Sequence, residues 1–417
     1  MSSPLEQSAV ADVNFADPAF LAAPWPELQR LQREAPLYWS LNQRGWIVTR
    51  HADVKAAYFD RRLSSARGDQ LFRNLPPGFK DRVPQAAKYN ELNLNRMDGL
   101  DHLRIRTLML KAFRPSAVRA LQPMIERIVG DILDRVEKER RFDYLARVSA
   151  ELPMAVVQHL LGMDNIDRAV LFKIASDYTA ASSAASMTEE LMLNFEATTI
   201  EMNTIFDGLI AEHRANPRDD ITTALIEARD GDDRLSHDEL LCCLQAVVVA
   251  GAETTAHTLG TQLVQIARRP HLRDRVAGDP EGAFAAVTEL LRYPGTVKCM
   301  TRMAAEDFEW LGQSIAKGDL FWLMNAGANV DPEIWEDPFA IDPERDTSAS
   351  LAFAPGMHHC IGHLLTRLEL ATFFAQAFSR FDVQILTENL EFISSYVFHG
   401  YKALDVQFQP RMKSGQP

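Results

Sequence analysis

The apolar positions of the chain recur mainly every three or four residues, which is the spacing of helices buried on one face. A short pattern of this kind runs from Pro24 to Leu31. Longer ones lie at about 101–112, 116–139, 149–161, 165–181, 188–214, 219–229 and 281–292. The sequence therefore predicts a protein made mostly of helices.

A longer helix is predicted to begin at Ser236 and to end before Pro270. Ser236 and Glu239 have the spacing of a capping box, in which each residue satisfies a free backbone N–H of the other. The stretch Leu240–Ala252 is apolar on all sides, which indicates a helix buried in the core. It is shorter than the ~20 apolar residues of a membrane span. We therefore expect no membrane anchor.

The remaining segments predict small strands and long loops. Strand patterns occupy 37–40, 45–49, 308–315, 320–323 and parts of the C-terminal end, and a last helix is expected at 362–378. Residues 1–20 form an irregular lead-in, and loops are expected at 64–98 and 331–358. The fold class is mainly α with small β-sheets (α+β), and nothing marks a linker between independent domains.

Composition narrows the classes of function. The chain has 417 residues and a net charge of −13, which argues against nucleic acid as the main partner, since phosphate binding needs clustered cations. Its four cysteines are too few and too irregularly spaced for a disulfide framework, and the N-terminus lacks the pattern of a signal peptide. We expect a cytoplasmic protein.

The segment around Cys360 carries the clearest chemical signal. Cys360 lies between Gly356 and Gly362 just before a predicted helix, where backbone N–H groups and the helix N-terminus stabilise a thiolate. Such a loop suits a single thiolate bound to a metal. Two alternatives remain open on the residues alone: a small buried hydrophobic cysteine, or a zinc site shared with the histidines at 358, 359 and 363.

A longer motif containing this cysteine resembles the haem-binding loop of the cytochrome P450 family. The motif is Phe353-x-x-Gly356-x-His358-x-Cys360-x-Gly362. The resemblance implies that Cys360 is the axial thiolate of the haem iron and that His358 pairs with a haem propionate. Phe353 and the two glycines would shape the loop against the haem. The resemblance covers roughly residues 15–410 and implies one cytochrome P450 domain spanning 1–417.

The long helix contains Ala250-Gly251-Ala252-Glu253-Thr254, which resembles a second motif of the family. By itself, the glycine could simply serve helix packing. The resemblance implies catalytic roles instead: Gly251 makes room for dioxygen, and Glu253 and Thr254 deliver protons.

Glu289 and Arg292 have opposite charges three residues apart on a predicted helix. In isolation they could form an ordinary surface pair. They also resemble the Glu-x-x-Arg motif of the family, which implies a buried structural ion pair completed by a residue before the cysteine loop. Arg345 is the candidate for that third residue.

Three further side chains are candidate contacts of the haem propionates. His102 and Arg106 are one helical turn apart, and they resemble the family's His-x-x-x-Arg motif. Arg302 falls where the family supplies another propionate-binding arginine. The sequence departs from the family at Ala354-Pro355, where a glycine usually follows the phenylalanine, and at Val330, where many relatives have arginine. We expect the first departure to stiffen the loop without moving the ligand.

A basic segment stands out in this acidic chain. Between residues 102 and 125 the charged side chains are all cationic: Arg104, Arg106, Lys111, Arg114 and Arg119. They could be an ordinary solvated helix face. The resemblance implies instead that the surface around Arg104–Arg119 docks a ferredoxin or a flavodoxin-like electron donor.

The resemblance also implies where substrate would bind. Candidate contacts are Asn93, Leu94, Met97, Ala250, Val297 and Met300. The small residues at 179–186 suggest a mobile lid. An apolar pocket predicts a hydrophobic small organic substrate.

The function implied is that of a haem-thiolate monooxygenase. It would use haem b and dioxygen, with two electrons from NAD(P)H through a separate redox partner, and most simply hydroxylate its substrate. Two alternatives are a peroxide-driven peroxygenase and a haem-binding protein without catalysis. Glu253 and Thr254 argue against both, because each alternative has less need of proton delivery.

Overall fold

A computed structural model of the protein describes residues 12–67, 71–72, 74–182 and 187–411. The helices are α1 (Pro18–Ala22), α2 (Trp25–Glu34), α3 (His51–Phe59), α4 (Pro84–Leu92), α5 (Gly99–Ala112), α6 (Pro115–Ala120), α7 (Gln122–Glu139), α8 (Glu151–Leu160), α9 (Arg168–Ser182), α10 (Glu189–Ala215), α11 (Ile221–Glu227), α12 (His237–Ala267), α13 (Pro270–Val276), α14 (Pro280–Arg292), α15 (Asn325–Ala328) and α16 (His363–Arg380). The strands are β1 (Leu37–Ser40), β2 (Gly45–Val48), β3 (Leu63–Ser64), β4 (Arg141–Asp143), β5 (Met300–Ala304), β6 (Phe308–Trp310), β7 (Gln313–Ile315), β8 (Leu320–Leu323), β9 (Phe381–Ile385) and β10 (Asp405–Pro410). The predicted class, mainly helical with small sheets, is confirmed.

The chain divides into two compact units. Unit 1 comprises Met1–Ser64, Val129–Ser149 and Ala256–Pro417. Unit 2 comprises Ser65–Ile128 and Ala150–Thr255. The single domain expected from the sequence stays a prediction.

Unit 1 contains the sheets. The largest has the strand order β1-β2-β8-β5-β3, in which β2 and β8 are parallel and the other neighbours antiparallel. A second sheet has the order β4-β10-β9, and β6 and β7 form a hairpin. Ile47 and Trp322 of the large sheet form a buried cluster with Trp25 and Leu28 of α2. The cluster includes Cys299 and so anchors the segment that precedes β5.

Unit 2 is helical in its described part. It holds α4–α6, the first turns of α7, α8–α11 and the part of α12 that ends at Thr255. The predicted capping box opens α12: the Ser236 amide donates to the Glu239 carboxylate over 2.8 Å, and the Glu239 amide donates to the Ser236 hydroxyl over 3.3 Å. The predicted start of the long helix is therefore confirmed.

Two predictions in the first third of the chain are corrected. The expected loop at 64–98 contains α4, a helix that begins with Pro84 in its first turn. The expected helix at 116–139 is two helices, α6 and α7, separated at Leu121. The hydrophobic period continues across the break, so the pattern could not show it.

Later segments also differ from the prediction. The expected strand at 308–315 is the hairpin of β6 and β7, which turns at Leu311 and Gly312, both with positive φ. The sequence analysis missed α1, which begins inside the expected irregular lead-in, and also α3, α13, α15, β3, β4 and β5. Each is short, and short elements give little periodic signal.

One helix in the described part of the chain, α12, is long and apolar enough to cross a membrane by length and composition alone. Of its most apolar stretch, 56% is buried inside the protein, and a core helix meets the same criteria.

Candidate active site

The Cys360 loop lies in unit 1, between a 3-10 turn at Gly356–His358 and the start of α16. The Cys360 amide donates to the Phe353 carbonyl over 3.0 Å, so the loop closes on itself. Gly356 has φ +83°, a conformation that costs other residues about 1–2 kcal/mol. The loop therefore needs glycine at this position.

The second glycine of the motif leaves space beside the sulfur. A Cβ added to Gly362 would lie 4.0 Å from Cys360 Sγ, in van der Waals contact. Gly362 is also the N-cap of α16, whose first residue is His363. A thiolate at Cys360 is thus near the positive end of a helix dipole, which stabilises its negative charge.

Most apolar side chains in and after the Cys360 loop are only partly buried. Phe353, Ile361, Leu364 and Leu368 are each only half-buried, whereas Leu365 between them is buried. An accessible thiol beside a group of half-buried apolar side chains fits a flat apolar ligand with a metal at its centre. The residues therefore fit a haem.

A polar cluster lies beside this loop. Arg367 stacks on Phe353, with its guanidinium carbon 4.5 Å from the ring centre, and its Nη1 is 2.9 Å from Nδ1 of His363. The rings of His359 and His363 are 4.7 Å apart. Burial lowers the pKa of His363 to about 4, with smaller contributions from His359 and Arg367, so its neutral imidazole can accept from Arg367 at neutral pH.

Two of the predicted cationic haem contacts, Arg302 and His358, lie in unit 1, on different elements. Arg302 is buried on β5, its Nη1 donates to the Thr301 carbonyl over 2.9 Å, and its guanidinium carbon lies 5.2 Å from the centre of the Tyr58 ring. His358 ends the 3-10 turn of the Cys360 loop and is half-buried.

Glu289 and Arg292 form a fully buried, bidentate ion pair on α14. The two hydrogen bonds measure 2.9 Å from Nε and 2.6 Å from Nη2. Arg345 adds a third contact, with its Nε 3.2 Å from Glu289 Oε1. The structure thus brings the three predicted side chains together, and the surface-pair alternative does not apply.

This ion pair also holds the loop that leads to Cys360. Arg292 donates to the carbonyls of Asn329, Pro338 and Ala340, and Arg345 donates to those of Glu336 and Asp337. Residues 331–355 have no helix or strand, so side chains supply the hydrogen bonds that a regular element would provide.

The middle of α12 is less buried than its sequence predicts. Ala250 is exposed and Gly251, Glu253 and Thr254 are half-buried, while Val248, Ala252 and Thr255 are buried. One face of an otherwise buried apolar helix is therefore open at the predicted catalytic residues. The Thr254 hydroxyl donates to the Ala250 carbonyl over 2.8 Å. The hydroxyl oxygen of Thr254 can still accept a hydrogen bond while it donates this one.

Gly251 also has a packing role. A Cβ added there would lie 2.8 Å from Cγ2 of Val157 on α8, so the glycine lets α12 pass close to α8. This contact matches the helix-packing alternative considered from the sequence.

The other haem-contact candidates lie on α5 in unit 2. His102 is buried and Arg106, one turn later, is half-buried. The helix spacing places them on one face, as predicted.

The basic surface is partly neutralised within unit 2. Arg104 pairs with Glu239 and, at 3.3 Å, with Asp233, and Lys111 pairs with Asp230 at 3.0 Å. Arg114 and Arg119, at the N-cap and last turn of α6, are exposed, and neither has an ion pair with the described residues.

The predicted substrate residues divide into two groups. In unit 2, Leu94 and Met97 are half-buried, but Asn93 binds the Asn95 amide and lies 3.3 Å from the Tyr178 hydroxyl. In unit 1, Val297 and Met300 are half-buried on and before β5. The predicted lid lies partly outside the described residues, since 183–186 are not described; α9 continues to Ser182.

Sequence reasoning missed one segment near these residues. Phe398 pairs with Val297 in an antiparallel bridge, and its ring centre lies 5.8 Å from that of His257 on α12. Residues that approach from the far end of the chain leave no local signal in the sequence.

Within the described residues, no group of three or more His, Cys, Asp and Glu side chains is arranged to hold a metal ion. The zinc alternative for the histidines around Cys360 therefore has no support from such a group.

Comparisons with known proteins decide the family. The family model described as "Cytochrome P450" matches residues 76–279 and 283–395. Cytochrome P450 CYP107DY1 of Priestia megaterium is 30% identical over 87% of this chain and 89% of its own. The 6-deoxyerythronolide B hydroxylase of Saccharopolyspora erythraea is 32% identical over 82% of this chain and 84% of its own. The chain belongs to the cytochrome P450 family.

A solved structure agrees. The epothilone D-bound cytochrome P450epoK has a TM-score of 0.86 and 26% identity, covering 96% of this chain and all of its own. This cytochrome P450 is therefore a monooxygenase of the haem-thiolate class, which binds iron through haem and uses dioxygen.

Proposed function

We propose that this cytochrome P450 is a cytoplasmic, single-domain monooxygenase that hydroxylates a hydrophobic organic molecule with electrons from a separate redox partner. The observation that carries the proposal is the Cys360 loop, where a half-buried thiol stands beside half-buried apolar side chains at the start of α16. Electrons from NAD(P)H reach the haem through the partner.

The chain's own residues hold the cofactor, which we take to be haem b. Cys360 binds the iron, and the bound haem supplies the oxidising chemistry. Phe353, Gly356 and Gly362 shape the loop against it. The family resemblance implies charge-assisted contacts to the propionates: the candidates in unit 1 are Arg302 and His358, and the candidates in unit 2 are His102 and Arg106.

Proton delivery is the task of α12. Thr254 keeps its hydroxyl anchored on the Ala250 carbonyl, so its oxygen stays in place to receive a proton. Glu253, half-buried on the same open face, can exchange protons with solvent. Gly251 leaves room for dioxygen and also lets α12 approach α8.

The proposed substrate contacts in unit 2 are Leu94, Met97 and Ala250, with Asn93 as a polar contact, and those in unit 1 are Val297 and Met300. Most of these side chains are apolar and partly accessible, which favours a hydrophobic ligand. One relative is named as a hydroxylase of 6-deoxyerythronolide B, and one structural neighbour was solved with epothilone D bound. Both names favour a bulky organic substrate, and the first favours hydroxylation as the reaction.

The electron donor docks on the basic surface around α6. Arg114 and Arg119 are exposed and have their charges available, whereas Arg104 and Lys111 already pair with carboxylates of unit 2. An acidic ferredoxin or flavodoxin-like protein would be attracted to this surface.

The proposal is tested at the iron ligand. Cys360→Ser should abolish the ferrous–CO band that is characteristic of thiolate ligation, while the control Cys243→Ala, at a buried cysteine of α12, should keep it. A thiolate band in Cys360→Ser would overturn the ligand assignment. Product formed by the wild type from peroxide but not from NAD(P)H with a surrogate ferredoxin and reductase would overturn the proposed source of electrons.

A further inference from the structure

Residues 391–402 form a hairpin, which we call the C-terminal hairpin. Phe392 and Tyr401 pair across it, and the Ile393 amide donates to the Gly400 carbonyl over 2.9 Å. It lies within unit 1, between β9 and β10.

The tip of this hairpin is joined to the segment before β5. The Lys298 amide donates to the Val397 carbonyl over 2.7 Å, and the His399 amide donates to the Thr296 carbonyl over 2.8 Å. These two bonds place Phe398 opposite Val297. Phe398 is half-buried, and its ring approaches His257, which follows Thr254 by about one turn of α12.

The side chain of Lys298 makes a third link to the same tip. It is only 1% exposed, and its Nζ donates to the Ser395 carbonyl over 2.6 Å. The Ser395 hydroxyl in turn accepts from the Phe398 amide over 3.0 Å. The ammonium group therefore closes the turn that carries Phe398.

A lysine is an unusual choice for this position. Burial lowers the pKa of Lys298 to about 8, so the group is still mostly charged at neutral pH. No carboxylate of the described residues offsets that charge. A buried ammonium without a counter-ion is unfavourable, and an apolar side chain could fill the same space. What only the lysine supplies is a directed bond to the Ser395 carbonyl.

We propose that Lys298 is a positioning residue: by binding the Ser395 carbonyl it holds Phe398 opposite Val297, and so determines the size of ligand that the enzyme accepts. The proposal rests on the proposed function, in which Val297 contacts substrate.

The test compares azole ligands of increasing size on the purified holoprotein. Imidazole, 4-phenylimidazole and clotrimazole bind haem iron, and their dissociation constants follow from the shift of the haem spectrum. Lys298→Met should change the ratio of the clotrimazole and imidazole constants by at least about fivefold, since small changes in an apolar pocket alter selectivity by about tenfold or more. Phe398→Ala should change it in the same direction. Imidazole affinity should stay within about twofold of wild type in both.

Lys402→Met is the matched control. Lys402 is an exposed lysine of the same hairpin, and its Nζ pairs with Glu391 at 3.1 Å. This variant should keep the wild-type ratio. Amide hydrogen exchange of residues 391–402 should rise at least about tenfold in Lys298→Met and stay unchanged in Lys402→Met.

The outcomes separate the two proposals. If the wild type shows no azole-induced shift of a haem spectrum, the proposed function is wrong. If the wild type titrates normally but Lys298→Met and Phe398→Ala both keep its affinity ratio, only the role of Lys298 is overturned. If Lys298→Met does not fold, an unchanged ratio in Phe398→Ala still overturns it.

Discussion

At the scale of single residues, the Cys360 loop contains a strained position where this chain departs from the family pattern. Ala354 has φ +52°, in the left-handed region where a Cβ costs about 1–2 kcal/mol. A glycine, which the family usually has here, would adopt this conformation without that cost. Alanine at this position therefore adopts a conformation that favours glycine, and the contacts around it must offset the cost.

His399 is a second residue under constraint, because it is buried and cannot easily accept a proton. Burial lowers its pKa to about 3, with a further contribution from the charge of Lys298. Its Nδ1 has no hydrogen-bond partner among the described residues. Protonation is therefore much harder in the folded than in the unfolded protein.

This constraint predicts a loss of stability in acid. In the unfolded chain His399 has a pKa of about 6.5, so below that pH it binds a proton that it does not bind in the folded protein. The free energy of unfolding therefore falls as the pH drops from 6.5 toward 3. Between about pH 7 and pH 5, the free energy of unfolding should decrease by about 2 kcal/mol less in His399→Asn than in wild type. Urea titrations at the two pH values measure it. The exposed His271→Asn should behave like wild type, and an undiminished loss in His399→Asn would show that His399 is not its source.

Sequence and structure agree best where a residue's role depends on its neighbours in the chain. The spacing of Glu289 and Arg292 is enough to pair them, and Ser236 and Glu239 cap α12 as predicted. Lys298 could not be predicted, because its partner Ser395 is far away in the chain. The positive φ of Ala354 could not be predicted from the sequence either, since alanine gives no signal of a left-handed conformation.

At the scale of elements, the packing of α8 against α12 depends on Gly251. The space for a side chain at this position is filled by Val157. The sequence predicted α12 and its burial from the apolar stretch, but periodicity cannot show where a helix leaves one face open. That depends on which neighbouring helices approach it.

Gly251→Ala should therefore destabilise the protein through its contact with α8. We expect a loss of about 1–3 kcal/mol, since overpacking a core costs this much. Truncating the neighbour in Val157→Ala should make the Gly251→Ala change less costly by at least about 1 kcal/mol. Chemical unfolding of the two single variants and the double variant measures this coupling.

Gly208→Ala is the control for helix propensity. Gly208 is exposed on α10, and an added Cβ would meet nothing within 4 Å. This variant should be stabilised by about 0.5–1 kcal/mol. If Gly251→Ala were stabilised equally, the close approach of α8 would not limit this position.

At the scale of the whole molecule, charge is distributed unevenly. The chain has a net charge of −13, yet Arg114 and Arg119 are exposed on α6. The overall composition argues against nucleic acid as the main partner, but it does not reveal this local reversal of charge. The structure limits the basic surface to Arg114 and Arg119, since Arg104 and Lys111 are paired with carboxylates.

Reversing both exposed charges should slow electron transfer. In Arg114→Glu/Arg119→Glu, reduction by a surrogate ferredoxin should be about tenfold slower at low salt, because electrostatic attraction raises association rates by 10-fold or more. Stopped-flow absorbance of the haem measures the rate. Azole affinity should not change. Lys138→Glu/Lys173→Glu alters the net charge equally at exposed sites of α7 and α9, and an equal slowing there would rule out a local docking surface.

The ion pair of α14 has a consequence for how this sequence can vary. Arg292 and Arg345 bind backbone carbonyls of residues 329–340, and every amino acid presents the same carbonyl. The side chains of the bound segment can therefore be exchanged widely without loss of these bonds. Glu289, Arg292 and Arg345 themselves have no such freedom, since removing Glu289 would leave both arginines without this carboxylate and removing either arginine would leave Glu289 with one partner fewer. With these three residues kept, the side chains of residues 329–340 can change in evolution while the backbone path of the segment is preserved.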